Sequence, residues 1–94
     1  MNDYQRMWFD ARLGKWKKEI ESGKTPVLII HYFQGEYEVA IREYKGRHHG
    51  EEWWECHTYK KTTFNELSNL FNEAGMKLTE DESEHRFGYI VELS

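Results

Sequence analysis

Between Pro26 and Lys60, short apolar runs are separated by polar, glycine-bearing breaks, the pattern of successive β-strands. Val27 to Phe33 is apolar at nearly every position, and a strand apolar on both faces belongs in the middle of a sheet. Reading Gln34-Gly35 as a two-residue turn pairs Phe33 with Glu36. That register sets Leu28, Ile30 and Tyr32 opposite Ile41, Val39 and Tyr37 on one apolar face. The other face then carries Val27, Ile29, His31 and Phe33 beside Arg42, Ala40, Glu38 and Glu36. Lys45 to Gly50 reads as a turn, and Glu51 to Lys60 as a third strand. Setting Trp54 and Cys56 with Ile41 and Val39 keeps the core face apolar, whereas the opposite parity buries Glu55 and His57. The expected parity sends Trp53, His57 and Tyr59 to the second face.

Helical spacing takes over on either side of this ribbon. Phe9, Leu13, Trp16 and Ile20 fall on one stripe of a helix over residues 3–22, capped by Asn2 or Asp3 and stopped at Gly23. Thr63 and Glu66 match a capping box, and Phe64, Leu67, Leu70, Phe71 and Ala74 form the stripe of a second helix that Gly75 ends. Met76 to Leu78 reads as a short strand, 80–84 as an acidic turn, and Phe87, Tyr89, Val91 and Leu93 alternate in a last strand. The order α-β-β-β-α-(β)-β predicts a single domain over 1–94. Its class is α+β, a two-layer sandwich with a mainly antiparallel sheet and two helices.

Composition narrows the function classes. Ninety-four residues is small for one core, but aromatics make up 16% of the chain, so dense packing is within reach. A single cysteine, Cys56, excludes an internal disulfide framework. The polar start MNDYQRMW lacks the apolar run of a secretory leader, and Val27 to Ile30 is too short to span a bilayer. A cytoplasmic protein without membrane association is expected. Charge is uneven: residues 1–24 carry six Lys/Arg against four Asp/Glu, and residues 51–94 carry four against ten. Duplex binding draws most of its affinity from a basic surface, which this chain offers only along its first helix. The α-β-β-β-α order resembles double-stranded RNA-binding domains, yet Thr63 to Glu66 is neutral to acidic where that family starts its second helix with lysines.

The second sheet face is the sharpest candidate for a site. Val27, Ile29, Phe33, Arg42, Tyr44, Trp53 and Tyr59 would there form an apolar patch on the order of several hundred Å², a size that marks interfaces when uncovered. The expected function is a small non-catalytic protein-binding domain of the inhibitor, immunity or accessory-regulator type. It would use this aromatic face and the acidic loops at 51–55 and 80–84, with another protein or a second copy (a homodimer) as partner. The alternative is a nucleic-acid-binding domain that stacks bases on the same face and holds phosphate with the first helix. Glu36 and Glu38 on that face oppose it, and the aromatic signature of the common sheet-based RNA readers does not occur. His31, Glu38 and His57 are expected in one cross-strand row, either a hydrogen-bonded polar row or a two-nitrogen, one-oxygen metal set. Without C-x-x-C or H-E-x-x-H spacing the polar row is favoured, and neither a metal nor a cofactor is expected. Cys56, placed on the core face, reads as a small hydrophobe, and no nucleophile elbow, P-loop or dinucleotide fingerprint occurs, so no catalytic residue is assigned.

Overall fold

A computed structural model describes residues 1–23, 27–33, 38–80 and 88–94, with Tyr32, Phe33 and Glu38 described in their backbone alone. Helix α1 spans Asp3–Glu21. Asn2 starts it: its side chain accepts from the Gln5 N–H at 2.8 Å while Gln5 accepts from the Asn2 N–H at 3.1 Å, so two orphan donors are satisfied reciprocally. Gly23 follows at φ +86°, a left-handed stop that costs glycine little. Helix α2 spans Phe64–Glu73, and Thr63 caps it by accepting from the Glu66 N–H at 3.1 Å.

Five strands complete the fold: β1 (Leu28–Phe33), β2 (Glu38–His48), β3 (Glu51–Lys60), β4 (Met76–Glu80) and β5 (Gly88–Leu93). They form one sheet in the order β3-β2-β1-β5-β4, antiparallel at every pairing. The protein is an α+β fold with two helices on a five-stranded antiparallel sheet. Strand β1, apolar on both sides, sits at the centre, as its composition requires. Phe9, Trp16 and Ile20 of α1 and Leu67 and Phe71 of α2 share one cluster with Leu28, Ile30, Val39, Ile41, Tyr59, Met76 and Val91. By strand alternation these strand positions lie on one sheet face, so both helices cover the same side. Among the described residues no helix is long and apolar enough to cross a membrane.

Three expectations about the ribbon change. First, β1 and β2 pair with Phe33 opposite Glu38 and Ile30 opposite Ile41, a slip of two residues from the register a Gln34-Gly35 turn implies. A two-residue slip preserves the faces, so the core side is as expected. The turn itself lies outside the described residues, as do Glu36, Tyr37, the acidic residues 81–84 and Phe87. Second, the expected turn at Lys45–Gly50 is mostly strand. β2 continues to His48 through a bulge between Tyr44 and Gly46, and the hairpin closes at His49-Gly50 with φ of +52° and +82°. Positive φ at both central residues suits the right-handed twist of the flanking strands.

The third change matters most. In β3 the parity is the reverse of the expected one: Glu43 faces Glu55, Ile41 faces His57 and Val39 faces Tyr59, while Arg42 faces Cys56 and Tyr44 faces Trp54. Glu55, His57 and Tyr59 therefore lie on the helix side, and Trp54 and Cys56 on the outer side. An apolar-face rule fails here because α1 brings cations and indoles over the acidic positions, giving the buried charge partners.

Candidate functional site

Strand β2 alternates Val39, Ile41 and Glu43 toward the helices, so a carboxylate lands at the margin of the core, 1% exposed. Trp16, on the buried stripe of α1, donates its indole N–H to Glu43 Oε2 at 2.8 Å. Around the other oxygen, Lys45 Nζ lies at 3.1 Å, Arg12 Nη1 at 3.5 Å and His57 Nε2 at 3.9 Å. Lys45 also reaches Glu55 at 3.6 Å, and Lys15 approaches Glu43 Oε2 at 3.8 Å. Trp8 roofs the group: its ring lies 4.4 Å from that of His57, and the Arg12 guanidinium 4.3 Å from the Trp8 ring. Helix α1 is thus pinned to the β2–β3 ribbon through a buried charge.

Burial pushes the Glu43 pKa up, but the Trp16 hydrogen bond, the Lys45 hydrogen bond and charge, and the Arg12 charge together hold it below the usual value. His57 is depressed: burial favours the neutral ring, and Arg12 and Lys45 add to it against the raising effect of Glu43 and Glu55. Burial likewise raises the Tyr59 phenol. Among the described residues, the buried His57 Nε2 and Tyr59 hydroxyl find no hydrogen-bond partner, while Glu43 Oε1 is met by the Lys45 ammonium at 3.1 Å. The donor atoms of Glu43, Glu55 and His57 all fall within 4.8 Å of one another, a spacing a divalent ion could bridge. The Lys45 ammonium already bridges both carboxylates, with Arg12 and Lys15 beside it, so the position is filled by an internal cation and a divalent ion would meet three positive charges.

The proposed interface residues do not assemble as one patch. Val27 and Tyr59 join the core cluster at 1% and 2% exposure, and Ile29 is fully buried. Trp53 is 52% exposed on the helix-side parity of β3, near the hairpin tip beside His48, Glu51 and Glu52. The side chain of Phe33 lies outside the described residues. Arg42 and Tyr44 do sit on the outer face, and Trp54, expected in the core, joins them. Tyr44 and Trp54 meet edge to face at 5.1 Å, with the Arg42 guanidinium 5.5 Å from the Trp54 ring. Cys56 and Thr58, both exposed, continue the outer side of β3.

The His31–Glu38–His57 row does not form. His31 faces Ala40, Glu38 faces Phe33 and Lys60, and His57 faces Ile41 on the opposite side of the sheet from His31. Sequence reasoning missed Glu43, although its parity with Val39 and Ile41 marked it as a core-facing acid. Trp16 on the apolar stripe of α1, with Arg12 and Lys15 adjoining, was the matching signal. What results is an α+β domain in which Glu43, Lys45, Arg12 and His57 dock a helix, with Tyr44 and Trp54 on the outer side of the β2–β3 hairpin and Trp53 near its tip on the other side. No protein-family model, curated protein or solved structure matches the chain.

Proposed function

We propose that this chain is a non-catalytic protein-binding domain of the inhibitor, immunity or accessory-regulator type, and that the β2–β3 hairpin is its contact element. The observation that carries this reading is the Arg42–Trp54–Tyr44 ladder on the sheet face away from the helices, with exposed Trp53 at the same end of the hairpin. Aromatic and arginine side chains concentrate binding energy at interfaces. Exposed Glu51 and Glu52 flank Trp53, so the fitting partner is a basic protein surface with an apolar recess.

Affinity capture with the wild type and with a Trp53→Ala, Trp54→Ala variant of unchanged circular dichroism tests the reading. A stoichiometric partner released by salt and lost in the variant is expected; identical capture by both, or capture of nothing, sinks it. Nucleic-acid binding is the weaker alternative. Arg12 and Lys15, the cations it would borrow from α1, are engaged with Glu43. A gel shift at low salt that the Trp54→Ala change abolishes would reverse that ranking.

A further inference from the structure

Strand β3 ends one side of the sheet with ten residues, twice the length of β4 at the other side. The bulge that interrupts the hairpin places its extra residue in β2, so β3 keeps its alternation throughout. Its hydrogen-bonding direction can be assigned. The Tyr44 N–H donates to the Val27 carbonyl at 2.9 Å, so even-numbered β2 residues on this side of the bulge aim their backbone groups at β1 and odd ones at β3. On β3, Glu55, His57 and Tyr59 then bond inward, and Trp54, Cys56 and Thr58 aim their N–H and C=O groups outward. Gln5 supports this assignment, because its side-chain amide reaches the Thr58 carbonyl from outside at 3.4 Å.

An exposed strand edge of this length invites a further strand unless its charges forbid one. Here they select a partner. Around a two-fold axis perpendicular to the sheet, a strand pairs antiparallel with its own copy, and facing positions share one parity. Centring the axis on Glu55 places two carboxylates together and leaves Glu52 opposite Thr58. Centring it on His57 places Lys60 opposite Trp54. Centring it on Cys56 places Glu52 opposite Lys60, Glu55 opposite His57, Trp54 opposite Thr58 and Trp53 opposite Tyr59, and the two-fold repeats each pair. Centring it on Trp54 places Glu51 opposite His57, and of these four registers the Cys56 one alone opposes a carboxylate to an ammonium.

We infer that this protein self-associates through β3, pairing Glu51–Lys60 antiparallel with the same strand of a second copy about Cys56 to continue the sheet. This inference rests on the proposed binding role of the hairpin and names the second copy as an occupant of its edge. Trp54 and Thr58′, on the outer face, would extend the Tyr44–Trp54 ladder across the axis. The weak Gln5 contact is exchanged for strand hydrogen bonds. Tyr4, 79% exposed and one helical turn before Trp8, lies on the side of α1 that overhangs β3 and would meet the neighbouring helix.

Cys56 is the sole cysteine, so it reports the axis directly. Paired in this register, the two Cys56 Cα atoms lie about 5.5 Å apart. A bis-maleimide of short spacer, applied under reducing conditions, is expected to convert the protein to covalent dimer, with Cys56→Ser as the blank. Light scattering is expected to give twice the chain mass. Glu52→Lys and Lys60→Glu should each weaken the dimer about tenfold, because each reversal acts twice across the axis, and the double variant should recover it. Thr58→Pro, which removes an outward N–H, should give a folded monomer.

A wild type that is monomeric and uncrosslinked overturns the inference. So does a dimer that survives Thr58→Pro and ignores both reversals, since its contact lies elsewhere. Affinity capture by the wild type separates the two readings: a wild type that retains a partner yet fails to dimerise removes self-pairing and leaves the hairpin role intact.

Discussion

Glu43 is the residue on which the docking of α1 turns. Its carboxylate is buried against the fully buried Trp16 and beside Lys45 and Arg12; an amide there keeps one oxygen for the Trp16 N–H but removes the charge and sets an NH2 donor against the two cations. Glu43→Gln should therefore lower stability by about 3 kcal/mol in chemical denaturation, the cost of breaking a buried pair from one side. Trp16→Phe, which removes the donor and part of the indole from a fully buried position, should cost about 3–4 kcal/mol, the lost hydrogen bond to a charged group plus the space left in the core. Equal stability of wild type and Glu43→Gln would show the cluster to be incidental.

The same residues set a pH response with a definite sign. His57 is depressed from its ordinary 6.5, so the unfolded chain binds its proton first and stability falls as pH drops below about that value. Glu43 is also depressed, from 4.5, and its contribution is present above that pH and lost as pH falls further toward the folded value. Both groups therefore destabilise on acidification, His57 first. In His57→Phe, which retains an aromatic ring under Trp8, the fall in unfolding temperature between pH 7 and pH 5.5 should shrink relative to wild type. An unchanged pH profile would remove His57 as the first-titrating group.

At the level of elements, the β2 bulge decides what β3 presents. Gly46 sits at φ +114° with open space where a Cβ would stand, so the penalty for a side chain is backbone strain alone. Gly46→Ala should cost about 1–2 kcal/mol in chemical denaturation and leave the buried cluster in place. The helix starts at Asn2 and Thr63 were legible because capping uses only residues three positions apart. The hairpin end was not. Lys45-Gly46 and His49-Gly50 are both plausible turns in one dimension, and only pairing with Glu51, Glu52 and Trp53 selects the second.

For the whole molecule, α2 connects β3 at one side of the sheet to β4 at the other, so the chain closes its single layer of strands beneath both helices. Among the described residues each outer strand pairs with a neighbouring strand on one side only. If β3 pairs with its copy, folding and association are linked, and the unfolding temperature should rise with protein concentration. A temperature constant over a hundredfold range of concentration would count against the dimer and leave the fold and the buried cluster untouched.

Local spacing settled the helices, their caps, the central position of β1 and the α+β class, because each depends on residues a few positions apart or on a strand's own two-sided apolarity. Strand parity in β3 was beyond its reach. Trp54 and Cys56 look like core and Glu55 and His57 like surface until α1 lays Trp8, Arg12, Lys15 and Trp16 over that side. Burial is a property of what covers a residue, and cover arrives from more than thirty positions away. The folded arrangement therefore chose which aromatics became core, which became the outer ladder, and where a buried glutamate could be held.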